Sequence, residues 1–206
     1  MTFAAKFRMW SSINSHATFM VATLNTSSKR TTGHVFIAAS VDGYIARPDG
    51  DIDWLSKYAA SGEDTGYDAF MNTVDGLMMG RATFEKVLSF DSWPFKKPVV
   101  VLSRTLSQAD LRADLGGKVR ISSLAPLPLM QALASEGWRR AYVDGGRLIQ
   151  SFINENLISD IVLTRIPVLL GDGIPLFGPL AADLPLRHVE TTTFASGMVQ
   201  SRYELG

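Results

Sequence analysis

Twice in this chain an apolar, strand-like run ends in Gly-Arg and passes at once into a helical pattern. The first is Gly76-Leu77-Met78-Met79-Gly80-Arg81, leading into 82–88. The second is Ala141-Tyr142-Val143-Asp144-Gly145-Gly146-Arg147, leading into 148–153. A strand that feeds a helix so directly is half of a βα unit, and repeated units build a largely parallel sheet. A helix that starts on glycine leaves its first N–H groups bare at the positive end of the dipole, a setting that favours an anion. Arginine in that first turn opposes the dipole, and makes sense where it shares the site with a phosphate. Two such junctions point to a ligand with more than one phosphate, hence a nucleotide cofactor. Each also fits an ordinary tight turn with a solvated arginine.

Composition narrows the classes. The 206 residues suit one domain, and a 46% apolar share supports a sizeable core. Lys+Arg and Asp+Glu are balanced at 20 each, so no overall field recruits nucleic acid or an acidic membrane. The absence of cysteine removes disulfides, thiol catalysis and cysteine metal sites. No apolar stretch reaches the ~18–20 residues of a membrane span. Residues 1–33 carry Lys6, Arg8, Lys29 and Arg30 with many Ser and Thr, and no acidic residue precedes Asp42. That segment reads as a tail outside the fold, disordered or targeting, so the folded domain is expected over 34–206. The expected location is cytoplasmic, or organellar if the tail is a transit peptide.

From residue 34 onward, strand-like runs at 34–40, 76–79, 98–103, 119–122, 140–143 and 158–170 alternate with helical patterns at 67–74, 81–88, 127–136 and 147–156. The run Pro98-Val99-Val100-Val101-Leu102-Ser103 is built on consecutive β-branched valines, as a strand covered on both faces should be. Two alternating strands, 186–194 and 198–205, flank an Ala195-Ser196-Gly197 turn. The predicted fold is therefore α/β: a single domain with a mostly parallel central sheet, flanking helices and an antiparallel C-terminal hairpin. Residues 41–53 read as a loop.

The chemistry-bearing motifs lie at strand ends. Neither junction is G-x-G-x-x-G or G-x-x-x-x-G-K-[ST], which disfavours Rossmann and P-loop folds. Gly145-Gly146 is entropically costly at a helix start. It is understood if a ligand, or a crowded strand–helix crossing, must approach the backbone. Ser103-Arg104 ends the central run with a hydroxyl and a cation suited to a ribose phosphate, or is a solvated turn. Asp49-Gly50-Asp51-Ile52-Asp53 lacks the glycine and glutamate of a calcium loop, and the histidines at 16, 34 and 188 are scattered, so no metal site is expected.

In order, these pieces resemble the dihydrofolate reductase-like superfamily, and within it the stand-alone relatives of the reductase domain of riboflavin biosynthesis. The likeness rests on Ile37-Ala38-Ala39-Ser40-Val41-Asp42-Gly43-Tyr44-Ile45-Ala46, Gly50-Asp51-Ile52-Asp53-Trp54, Met79-Gly80-Arg81-Ala82-Thr83-Phe84-Glu85, Val99 to Arg104, Val143 to Leu148, and Leu163 to Gly173. The resemblance implies NADPH across the carboxyl edge of an eight-stranded sheet. Ala38 and Ile45 would line the nicotinamide, and Gly80, Arg81 and Thr83 would take phosphates. Ser103 and Arg104 would take the 2′-phosphate, and Gly145, Gly146, Arg147 and Leu148 the pyrophosphate. Trp54 and Thr164 would face the substrate, and Asp42 is the candidate general acid or substrate anchor, unless it only caps its turn. Ala60 stands where folate-reducing members carry an acid, with Glu63 and Asp64 nearest, and Asp144 replaces the first glycine of the family's triplet.

The implied activity is NADPH-dependent hydride transfer to a C=N or C=O bond of a small pteridine- or riboflavin-precursor-like molecule, in a homodimer. A non-catalytic NADPH-binding sensor of the same fold is the rival reading, and a true dihydrofolate reductase the third. The expected partner is a small-molecule substrate, with neither nucleic acid nor membrane.

Overall fold

The computed structural model describes residues 30–206. Its strands, in chain order, are β1 (Thr32–Ser40), β2 (Tyr44–Ala46), β3 (Gly76–Gly80), β4 (Val99–Leu102), β5 (Val119–Ser122), β6 (Arg140–Asp144), β7 (Ile158–Ile166), β8 (Ile174–Pro175), β9 (Leu186–Thr193) and β10 (Val199–Leu205). The helices are α1 (Ser56–Ala59), α2 (Tyr67–Thr73), α3 (Arg81–Leu88), α4 (Pro126–Ser135) and α5 (Gly146–Asn154). Eight strands form one sheet in the order β5-β4-β3-β6-β1-β7-β10-β9, and β2 pairs with β8 apart from it. All pairings from β5 to β7 are parallel, whereas β10 runs antiparallel to both β7 and β9.

Helices cover both faces. Val100 of β4 packs with Met78 and Val143 under α4 and α5, and Val99 and Val101 pack on the other side with Phe70 of α2 and Phe84 of α3. This two-sided burial is why β4 is apolar at every position from Val99 to Leu102. On α5, Leu148, Ile149, Phe152 and Ile153 are buried along one stripe, the amphipathic pattern of a helix laid on a sheet. Among the described residues no helix is long and apolar enough to cross a membrane.

Three expectations need correction. The domain begins before residue 34: Thr31 is buried and its Oγ1 donates to the Trp138 carbonyl (2.9 Å), while Thr32 and Gly33 pair with Arg140 and Ala141. The rest of the expected tail, 1–29, lies outside the described residues. The strand expected over 158–170 stops at Ile166 because Pro167 has no N–H to donate. Beyond it the chain folds tightly, Val168 N–H donating to the Ile166 carbonyl (2.7 Å) and Val41 N–H to the Val168 carbonyl (2.9 Å). Finally, the segment read as a 41–53 loop contains β2, whose partner β8 is supplied from far along the chain.

Candidate active site

The sheet order creates one place where a crevice must open. β3 and β6 are neighbours, yet α3 leaves β3 over the α2 side toward β4, while α5 leaves β6 over the α4 side toward β7. Where adjacent strands send their helices to opposite faces, the carboxyl ends part and ligands bind. The Gly80-Arg81 and Gly145-Gly146-Arg147 junctions flank this switch point, with Met79 opposite Asp144. Gly80 also lies opposite Leu102, so Ser103 and Arg104 stand at the next strand end.

The three glycines there differ. A Cβ added at Gly80 meets nothing within 4 Å, so its backbone is open to an incoming group. At Gly145 (φ 93°) an added Cβ would lie 2.2 Å from Thr83 Oγ1, and at Gly146 it would lie 2.9 Å from both Ile45 Cδ1 and the Pro175 carbonyl. The crowded-crossing explanation therefore accounts for the Gly145-Gly146 pair. The same contacts press Thr83 of the first junction and Ile45 of β2 against the second. Ala38 falls elsewhere, with buried Trp54 (8% exposed), Ile166 and Met198. Trp54 Nε1 is buried without a hydrogen-bond partner.

Arg81 is engaged within the protein: its Nε donates to Glu85 Oε1 (2.7 Å) and Nη1 to Thr105 Oγ1 (2.9 Å). Ser103 Oγ accepts from the Thr105 and Leu106 amides (3.2 and 3.0 Å) and lies 3.4 Å from Thr105 Oγ1, contacts that shape the turn. Arg104 and Arg147 are exposed. Thr164 is buried beside Ala38 in the β1–β7 register, its Oγ1 accepting from Gln200 Nε2 (2.9 Å). Glu63 Oε1 accepts from the Ser196 amide (3.2 Å), tying the α1–α2 connection to the C-terminal hairpin, and Asp64 accepts from the Gly66 amide (2.8 Å).

Asp42 does not look like an acid awaiting a substrate. Its carboxylate accepts from Ser40 Oγ (2.5 Å) and from the Leu170 and Gly171 amides (3.1 and 2.8 Å). The Ser40 and Gly171 hydrogen bonds hold its pKa below the usual carboxylate value. It is ionised at neutral pH and clamps the 41–46 segment to 168–171, a structural role beside the general-acid or substrate-anchor expectation. That stabilising effect is present above the unfolded pKa and is lost as pH falls through the lower folded value. Asp42→Asn removes an acceptor, and faster amide exchange is expected over 41–46 and 168–171. Exchange unchanged in both segments would contradict the clamp.

The other acidic group at these strand ends is Asp144, the residue that replaces the first glycine of the triplet. Two residues after Tyr142 on β6, it leaves the sheet on the face of Phe36, Tyr67 and Phe70, opposite α5. Burial there pushes its carboxyl up to about 6. The Gly145 amide opposes that shift without cancelling it, while the Tyr142 hydroxyl donates its proton to the Phe36 carbonyl (2.9 Å). Burial, together with the Asp144 charge, raises Tyr67 to about 12 in turn. The acid at this glycine turn thus faces away from α5, and its aromatic surroundings come from α2 and β1.

An apolar groove of about 200 Å³ lies away from these strand ends, lined by Ile153, Ile161, Phe177, Leu180, Leu186 and Leu205.

Residues 31–200 match the family model described as the RibD C-terminal domain. The chain belongs to that family. It is 36% identical over 173 residues to the uncharacterised protein YwjB of Bacillus subtilis (strain 168), spanning 82% of this chain and 95% of that one. It is 40% identical to a crystal structure from Shewanella sp. PV-4 provisionally assigned to riboflavin biosynthesis (TM-score 0.80, 85% of this chain and 99% of the other). Dihydrofolate reductase from Enterococcus faecalis, solved with NADP(H), shares the fold at 17% identity (TM-score 0.58, 85% and 96% covered). The architecture of this RibD C-terminal domain is thus dihydrofolate reductase-like.

Proposed function

We propose that the chain is an NADPH-dependent reductase that transfers hydride to a C=N or C=O bond of a small heterocycle of the pteridine or riboflavin-precursor kind. The observation that carries this reading is the switch-point crevice between β3 and β6, flanked by both Gly-Arg junctions and holding Asp144 at its edge. Membership of the RibD C-terminal domain family supports it.

The residues present fit a nucleotide cofactor. The space over Gly80 is open where a side chain would stand, and Arg81, Arg104 and Arg147 gather at neighbouring strand ends. Gly80, Arg81 and Thr83 would hold phosphates, and Ser103 and Arg104 the 2′-phosphate. The amides from Gly145 to Leu148 would hold the pyrophosphate, with Ala38 and Ile45 toward the nicotinamide. When bound, the cofactor supplies the hydride.

The rest is the work of this chain. Asp144, protonated over a useful fraction near neutral pH, provides the proton that accompanies reduction. Thr164 and the unpartnered Trp54 Nε1 offer hydrogen bonds to orient the substrate. The clamp from Asp42 to 170–171 holds the 41–46 segment at the carboxyl end of β1, where it would help exclude water. A homodimer belongs to the same proposal: β9 is an edge strand exposed along nearly its whole length, beside exposed Phe177, Leu180 and Leu186.

The test is direct. NADPH is expected to raise the melting temperature more than NADH does. A ribosylaminopyrimidinone or dihydropteridine is then expected to deplete NADPH absorbance at 340 nm. Stabilisation without turnover on either class would favour the non-catalytic reading, and no stabilisation by NADPH would end both.

A further inference from the structure

Arg81 occupies an uncommon position for a cation, in the first turn of α3, where the helix dipole disfavours it. Its guanidinium is nevertheless fixed at two corners. Nε meets Glu85 one turn along the same helix (2.7 Å), and Nη1 meets the Thr105 hydroxyl from the turn after β4 (2.9 Å). Nη2 makes no hydrogen bond among the described residues. Both members of the ion pair are about half exposed, at 49% and 50%. Burial therefore does not demand the pair, and an exposed i,i+4 pair adds little to stability. Close by, the Gly80 backbone faces open space.

A cation kept in place by a resident carboxylate, next to a glycine with open space where a side chain would stand, is an anion site already partly neutralised. We infer that Glu85 is a built-in counter-ion for Arg81 that weakens cofactor binding, while Thr105 keeps the guanidinium oriented. This rests on the reductase reading above. The carboxylate offsets part of the arginine's charge before any phosphate arrives, and it repels the phosphate once it is there. Thr105 bears no charge and holds the side chain without that repulsion. The pair thus sets how readily cofactor is released, and the chain achieves this without altering the residues that touch the phosphate. Glu85 acts through Arg81 and is a positioning and charge-tuning residue, not a contact to the ligand.

The experiment is a double-mutant cycle on NADPH affinity, measured by calorimetry or by quenching of tryptophan fluorescence. Glutamine at 85 still accepts from Nε but lacks the charge. Glu85→Gln is therefore expected to tighten NADPH about three- to tenfold, chiefly by slowing dissociation, with the gain shrinking as salt is raised. Thr105→Val is expected to weaken it. In an Arg81→Ala background, Glu85→Gln should change affinity much less. Unchanged or weaker binding by Glu85→Gln in the wild-type background would overturn the inference, as would the same gain with and without Arg81. Melting temperatures of the free variants check that each is folded. A wild-type chain that fails to bind NADPH would defeat the cofactor reading itself, an outcome distinct from a silent Glu85.

Discussion

Asp144→Asn is expected to make the protein more stable at neutral pH and far less active. Both effects have one cause, the cost of holding a carboxylate among Tyr67, Tyr142 and Phe36. The carboxyl pKa stands at about 6 in the folded chain against 3.8 when free. Because the folded value is raised, the stabilising contribution is complete below pH 3.8 and fades as pH rises through about 6. By pH 8 the penalty approaches about 3 kcal/mol at most. Asparagine stays neutral, so chemical denaturation should show a gain of about 1–3 kcal/mol at pH 8 and little at pH 4. Turnover should fall on the order of 100-fold or more, the usual scale of a lost general acid. In the wild type kcat/KM should decline above about pH 6, and the variant should lose that limb. A variant that is stabilised yet fully active would leave Asp144 with no part in proton transfer.

Gly145→Ala carries the second large effect. At φ 93° and ψ 132° the residue is in a region that side chains rarely adopt, a cost of about 1–3 kcal/mol in itself. The new methyl would also overlap Thr83 Oγ1, 2.2 Å away. Relieving that overlap requires the Thr83 side chain to leave its present rotamer. A loss of roughly 3 kcal/mol or more is expected in urea denaturation, with weaker NADPH binding because both junctions shift. Adding Thr83→Ala should return the steric part and leave the conformational part. If the double variant is no better than the single one, the contact between the two junctions does not matter.

The sequence announced the frame of this molecule well, for local reasons. Each parallel strand ends where glycine, arginine or a helical pattern begins, so β3, β4, β5 and β6 were found within a residue or two. What failed depended on distant partners. β2 is three residues long, and only β8, some 130 positions later, makes it a strand. Thr31 to Gly33 look like more of a polar tail until Trp138 and Arg140 are set beside them. At the site, Arg81 and Ser103 were legible as anion contacts, but not their engagement by Glu85 and by the Thr105 and Leu106 amides. Asp42 drew attention by its motif, and its bonds to 170–171 are long-range. Asp144 owes its altered acidity to aromatic neighbours from α2 and β1, which no local pattern records.

The place of β1 in the sheet governs how the chain can assemble. Its neighbours are β6 and β7, more than a hundred residues downstream. Before β6 has been synthesised this strand has no sheet partner, although β3, β4 and β5 can already pair among themselves. Folding must therefore begin from that internal block and recruit the first strand late, closing a long loop before the gain of burial. Until then the apolar segment from Val35 to Ile37 has no sheet neighbour to cover it.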